Sequence, residues 1–375
     1  MKIANIETFL VSNFLIVRIT DENGIQGIGE SCYWSYPKSA EETILGFKDT
    51  LIGTDSRNIE HIWNLLWRNN SSFRGNSLSS AISAIDIALW DIKGKKLDLP
   101  IYELLSGKTR DKVRCYMHIS GKKTEELVRD AREKVDLGFT AIRFTPYSED
   151  FYLYKSLSEW TNDAYERIYS VIDEVGKDVD ICVEIHRQMN PAESVSLAKK
   201  IKDFDIFFYE DPMLPDSPSV MKQIKDQSGL PIATGERFTS IYDFQNLLEL
   251  NATDYIRPDL CLASGISGCK KISAMAEAKH IKVIPHNPLS PISTAACVQL
   301  DASIPNFALQ EYTGESEYPK NKLLTNPLKL ESGYLIVPEG PGLGINLNYE
   351  SINNIPENPK VLDTPIGFDG SVKDR

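Results

Sequence analysis

Five acids and one histidine recur along this 375-residue chain at nearly constant intervals: Glu184, Glu210, Glu236, Asp259, His286 and Glu311. The separations are 26, 26, 23, 27 and 25 residues. If the first three carboxylates meet, they repel one another unless a cation lies among them. An all-oxygen set favours a hard divalent ion, Mg²⁺ ahead of Mn²⁺. Zinc fits less well, because Cys and His are not grouped with those three acids. The competing arrangement is three acids paired with buried arginines, and Arg237, directly after Glu236, is the first candidate partner. Asp259 precedes His286 by one interval. In the stretch VEIHR, Glu184 and His186 are two positions apart, so on a strand they share one face. Arg143 is a poor base, being always protonated, and a better clamp for a carboxylate or hydroxyl.

Each recurring residue closes a short apolar run: VDICVE, DIFFYE, PIATGE, TDYIRPD, IKVIPH and NFALQE. With VRCYMH and TAIRFT ahead of them, eight strand-like runs alternate with helix-length segments such as ESVSLAKKIKDF. This alternation predicts a (β/α) barrel, in which the C-terminal strand ends converge on one mouth. One βα unit per interval therefore brings all six groups to one place. Gly265-Ile266-Ser267-Gly268 reads as a βα turn rather than a phosphate cradle. Upstream, residues 1–30 read as strands with a turn at Asn23-Gly24. Ser39 to Lys96 reads as helical, with Ile82, Ile85, Leu89 and Ile92 forming an apolar stripe. The expected organisation is an α+β domain over 1–110, a barrel over 111–325 and a C-terminal segment over 326–375. In that last segment PLKLESGYLIVPEGPGLG reads as a hairpin returning over the first domain.

The net charge of −12 and the lack of a basic run argue against nucleic acid or an anionic membrane as partner. An anionic substrate would need a local cation to offset that field. The six cysteines are scattered without a C-x-x-C pair, which argues against a thiolate metal site or a disulfide framework. The N-terminus reads as a first strand rather than a signal peptide, so a cytoplasmic, non-membrane protein is expected.

The motifs EIH, YEDP and GER, followed by RPD, PHNPLSP and QEY, resemble the enolase superfamily. ALWDIKGK, PIATGERF, ASGISGCKKISAMAEA and GPGLG extend the likeness over nearly the whole chain. Within it the chain is similar to the mandelate racemase branch, and to acid-sugar dehydratases such as galactonate and mannonate dehydratase. The resemblance implies a (β/α)₇β barrel under an N-terminal α+β capping domain completed by the C-terminal segment. It implies Mg²⁺ held by Glu184, Glu210 and Glu236, with Asp259 and His286 as the Asp–His pair. Glu311 would bond the carboxylate end of the substrate, and His186 would protonate a departing hydroxide. The implied activity is that of a lyase, dehydrating an aldonate such as galactonate, gluconate or mannonate to a 2-keto-3-deoxy acid. A homo-oligomer, dimer or octamer, is implied as well.

Two departures stand out. Glu184 takes the place of an Asp in those dehydratases, one methylene longer. RPD leans toward the galactonate or gluconate type, whereas FALQEY and the Arg of AIRFT resemble the mannonate type. The alternatives are a racemase, epimerase or cycloisomerase of the same superfamily, with Tyr147 or Tyr154 as an opposing base, and a non-catalytic relative. Substrate choice is expected from ESCYWSYPKS and NNSSFRGNS, through Tyr33, Trp34, Tyr36 and Arg74. His61, His118 and His280 lack a comparable partner in the pattern and read as structural.

Overall fold

The computed structural model describes residues 1–32, 36–69, 75–148, 150–359 and 364–373. Tyr33, Trp34 and Arg74 lie outside the described residues, and Tyr36 is exposed just ahead of the helix Pro37–Gly46. The chain opens with an antiparallel sheet of β1 (Ile3–Val11), β2 (Phe14–Asp21) and β3 (Gln26–Ser31). β2 and β3 are joined through the expected turn, where Gly24 takes φ +80 and donates to Asp21 O at 3.0 Å. The helix Asn76–Leu97 lies on β3, with Ile82, Ile85, Leu89 and Ile92 all buried. The two backbones approach closely at Gly27 and Gly29. A Cβ at either would stand 2.0 Å from a helix carbonyl, that of Ala88 or Ala84. No larger residue fits there.

The parallel strands follow: β4 (Lys112–His118), β5 (Ala141–Phe144), β6 (Asp180–Glu184), β7 (Ile206–Glu210), β8 (Ile232–Thr234), β9 (Tyr255–Ile256), β10 (Lys282–Val283) and β11 (Gln310–Tyr312). They pair in sequence order from β4 to β10. Phe307 bridges to Val283, the chain runs on into β11, and β11 pairs with β4. The ring therefore closes between its last and first strands. Helices from Thr124–Asp136 to Pro291–Ser303 separate the strands, as the alternation predicts. Side chains alternate along each strand. In β6, Ile181 and Val183 face the helices while Cys182 joins Tyr116, Phe208, Ala233, Ile284 and Leu309 in the barrel interior. Glu184 continues the inward face one step beyond Cys182.

The C-terminal hairpin β12 (Leu330–Glu331) and β13 (Tyr334–Ile336) adds antiparallel to β4, not to the first domain's sheet. The return to that domain comes after it: Leu343 N donates to Asp91 Oδ1 at 2.9 Å, and Ser12 N to Pro356 O at 3.0 Å.

The first domain docks where the barrel helices begin. Asp86 accepts from Ser267 N at 2.9 Å, and Glu30 accepts from Ser290 Oγ at 2.6 Å and Ser293 N at 3.0 Å. Trp63 Nε1 donates to Ser264 O at 3.1 Å. Helix starts follow strand ends, so these contacts seat the domain over the barrel mouth. The six cysteines are all buried and free, and no described helix is long and apolar enough to cross a membrane.

Candidate active site

β6 and β7 pair in register with Glu184 opposite Glu210, and Glu236 follows β8 by two residues. One oxygen from each of these buried carboxylates lies within 4.8 Å of the others. The three acids spaced by βα units thus share one point. Each also has an arginine. Arg143 contacts Glu184 Oε2 and donates to Glu210 Oε2 at 3.0 Å. Arg257, fully buried, contacts Glu210 through Nε and reaches Glu311 Oε2 at 2.8 Å. Arg187 reaches Glu236 Oε1 at 2.6 Å and Asp211 Oδ2 at 2.8 Å, and Arg237 reaches Glu236 at 3.2 Å. The competing arrangement, acids paired with arginines, is therefore present together with the triad, and through more arginines than Arg237 alone.

The pairing is incomplete. Glu184 Oε1 is buried and accepts no hydrogen bond from a described residue. Six carboxylates (Glu184, Glu210, Asp211, Glu236, Asp259, Glu311) face four arginines (Arg143, Arg187, Arg237, Arg257) and the imidazole of His286. Even with that imidazole protonated, net negative charge remains among these groups. Burial pushes the Glu184 carboxyl up to about 8 despite Arg143, because Glu210 and Glu236 add repulsion. An orphaned oxygen, an all-oxygen donor set and that residual charge fit a hard divalent cation.

Asp259 and His286 are bridged in parallel beyond β9 and β10. Asp259 Oδ2 lies 2.8 Å from His286 Nδ1, and its Oδ1 accepts from Cys261 N at 2.7 Å. His286 Nε2 points to Glu236 Oε2 at 3.2 Å. Burial disfavours its imidazolium, but Glu236, Glu311 and Asp259 outweigh that and push His286 up to about 9.

His186 sits just past β6 in the left-handed region, φ +52, followed by Arg187 at φ +67, with Asp211 at φ +39 beyond β7. Three non-glycine residues in that region cost on the order of 1–2 kcal/mol each. Arg187 N bonding Asp211 O at 2.9 Å and the Arg187–Asp211–Glu236 ion pairs hold the turn in place. His186 Nε2 lies 2.8 Å from Arg187 Nη2, so it accepts there and carries its proton on Nδ1. Burial and then Arg187 bring its pKa down to about 2.

A cavity of about 320 Å³ opens at this mouth, lined in part by His118, Arg143, Thr145, Tyr147, His186 and Gln188. Neither candidate tyrosine is placed to act as a base. Tyr147 OH donates to Ile185 O, and burial pushes its phenol well up. Tyr154 OH donates to Asp163 at 2.5 Å and is raised by burial and that bond.

Of the residues singled out from sequence, Glu184, Glu210, Glu236, Asp259, His286, Glu311, His186 and Arg143 come together through the contacts above. Arg187, Asp211 and Arg257 have no part in the sequence reading of the site. Arg187 lies within VEIHR and Asp211 within YEDP, and strand alternation would have put Arg257 on the face of Asp259. His118, read as structural for want of a partner, has one in Glu311: Nε2 lies 2.8 Å from Oε1.

The family model for the mandelate racemase and muconate lactonizing enzyme N-terminal domain matches residues 2–106, and the enolase C-terminal domain-like model matches 126–352. A D-galactonate dehydratase of Variovorax paradoxus (strain S110) is 31% identical over 99% of both chains. That of Ralstonia pickettii (strain 12J) is 32% identical over 93% of this chain and 92% of its own. Among solved structures, an enolase from Agrobacterium radiobacter, provisionally named a galactarate dehydratase and holding sodium and L-malate, superposes with TM-score 0.94. It is 27% identical, and the match covers 100% of both chains.

Proposed function

This chain belongs to the enolase superfamily, in its mandelate racemase and muconate lactonizing enzyme branch, and from that premise we propose that it is a Mg²⁺-dependent sugar-acid dehydratase. The observation that carries the reading is the meeting of the Glu184–Glu210–Glu236 oxygens within 4.8 Å beside the buried Asp259–His286 pair. Relatives about one-third identical over nearly the full chain, named as D-galactonate dehydratases, support hydro-lyase chemistry.

The reaction must remove a proton from the carbon bearing a carboxylate, where the resulting enediolate concentrates charge on two oxygens. Glu184, Glu210 and Glu236 would hold Mg²⁺, which would supply electrostatic stabilisation of that charge. Glu236 is the chief cause of the raised His286 value and is also a residue that would hold the cation, so with that charge offset His286 would be neutral and would take the α-proton through Nε2, Asp259 on Nδ1 fixing its tautomer and stabilising the imidazolium formed. Hydroxide then leaves the β-carbon and takes up a proton as water. His186, with Nδ1–H available while Nε2 rests on Arg187, faces the cavity where that group departs. Arg187 disfavours charge on His186 in the free protein, and an anionic sugar acid entering the cavity works in the opposite direction. The enol left behind is protonated at the β-carbon, giving the 2-keto-3-deoxy acid. Arg143 and Arg257 keep the carboxylates apart and aimed inward.

The test is a screen of D-galactonate, D-gluconate, D-mannonate and galactarate with Mg²⁺, reading out 2-keto acid. Turnover of one of them that stops with a chelator supports the reading. No product from any, with Mg²⁺ bound, would turn it toward a non-catalytic relative.

A further inference from the structure

We propose that the end of β3, in the first domain, positions the Asp259–His286 pair: Glu30 and Cys32, two residues apart, each hold one of the two strand-end loops on which the pair is mounted. The inference rests on the dehydratase reading, in which His286 is the base, and assigns the residues that aim it.

The face of β3 turned to the barrel carries Ile28, Glu30 and, directly after the strand, Cys32. Ile28 and Cys32 pack into the barrel's apolar cluster with Leu260, Cys261 and Leu289. Glu30 lies between them, fully buried, with both oxygens engaged on the loop behind His286. Oε2 accepts from Ser290 Oγ at 2.6 Å and from Ser293 N at 3.0 Å, and Oε1 from Ser290 N at 3.2 Å. Ser290 is four residues past His286 and caps the helix Pro291–Ser303, a place where a carboxylate is favoured. Glu30 therefore fixes the segment that carries the imidazole. Two residues on, Cys32 N donates to Cys261 O at 3.0 Å. The amide of that same Cys261 donates to Asp259 Oδ1 at 2.7 Å, the oxygen that His286 does not use. One strand end thus grips both halves of the pair from outside the barrel.

The Cys32 side chain adds a direct contact. Burial, then the Asp259 charge and a hydrogen bond to that carboxylate, push its thiol well up, so it keeps its proton and donates. Asp259 then has three donors around it: His286 on Oδ2, Cys261 N on Oδ1 and the thiol from the other domain. A carboxylate held from three sides has one orientation to pass on to the ring. Among the described contacts, neither Glu30 nor Cys32 meets Glu184, Glu210 or Glu236, so the arrangement acts on the base and not on the carboxylate triad.

The test uses the full-length protein with nitrogen-labelled histidine. NMR reads the proton that His286 Nδ1 shares with Asp259, identified by its loss in His286→Asn. Glu30→Ala is expected to move that resonance and to speed its exchange with water about tenfold or more, the bonds that close the loop being lost. Glu30→Gln keeps an acceptor for Ser290 Oγ and Ser293 N and is expected to stay near the wild type. Cys32→Ala is expected to move the resonance, and Cys32→Ser, which keeps a donor there, to restore it. With an acid that is turned over, Glu30→Ala and Cys32→Ala should lower kcat by about 10²-fold and about threefold, because a base is misaimed. KM and Mg²⁺-dependent stabilisation should not change, a split that a general loosening of the fold would not give. An unmoved resonance in folded Glu30→Ala and Cys32→Ala proteins, or a raised KM at constant kcat, would overturn the positioning role and leave the dehydratase reading intact. If Glu30→Ala does not fold, Cys32→Ala against Cys32→Ser decides. Failure of the wild type to turn over any acid of the screen would overturn the dehydratase reading, with the NMR measurement still deciding whether β3 sets the Asp259–His286 geometry.

Discussion

Asp259 Oδ2 lies 2.8 Å from His286 Nδ1, both residues buried, their strand ends joined by a parallel bridge. A base so held has one tautomer and one direction of approach. His286→Asn is expected to lower turnover by about 10²–10⁴-fold, the range for a positioned acid–base group, and to abolish exchange of the α-proton with solvent. His186→Asn is expected to stop elimination while exchange continues. The reverse pattern, measured by NMR in deuterium oxide, would mean that base and acid are exchanged.

The carboxylate triad gives a second expectation. Glu210→Gln or Glu236→Gln should remove Mg²⁺-dependent thermal stabilisation along with turnover, because the charge left over by the arginines then no longer calls for a cation. Thermal melts with and without Mg²⁺ check this, and full stabilisation in both variants would contradict the assignment. Glu184→Asp keeps the charge, and is expected to retain both stabilisation and measurable activity.

Arg257 bridges Glu210 and Glu311 without any solvent exposure. Arg257→Met takes one buried cation from both carboxylates, leaving Glu210 with Arg143 and Glu311 with Asn287 N and His118, and is expected to cost about 3–5 kcal/mol of unfolding free energy. Denaturant titration reads the loss. A cost below about 1 kcal/mol, the range of an exposed pair, would show that the bridge is not needed.

Glu30 gives a pH-dependent expectation at the domain junction. Burial pushes its carboxyl from an ordinary 4.5 up to about 7, even with Ser290 and Ser293 bonded to it. The folded state then holds this proton more tightly than the unfolded state does. Its contribution to stability is full below 4.5 and is lost as pH rises through 7. Glu30→Gln lacks that slope, so its melting temperature relative to wild type should climb between those limits. A constant difference across that range would contradict the raised value.

The strand ends were legible because one βα unit sets a nearly fixed interval, so six groups at that interval had to meet wherever the ring formed. VEIHR was legible as a shared face, but the left-handed turn at His186 and Arg187 was not. It depends on Asp211 and Glu236, which arrive from two other strands. His118 and Glu311 stand on the first and last barrel strands, neighbours only once the ring closes through Phe307 and β11. No local pattern carries that. The C-terminal hairpin had an alternation compatible with either sheet, and its pairing with β4 came from an edge that the sequence does not advertise.

Elimination of water after proton loss at the carbon next to the carboxylate leaves its mark in the product, which NMR in deuterium oxide reads. With Mg²⁺ and the sugar acid that is turned over, the expected product is a 2-keto-3-deoxy acid carrying one solvent deuteron at the β-carbon, where the enol is protonated. A product that keeps all its hydroxyls and carries deuterium at the α-carbon would contradict it, and would make the enzyme an epimerase or racemase.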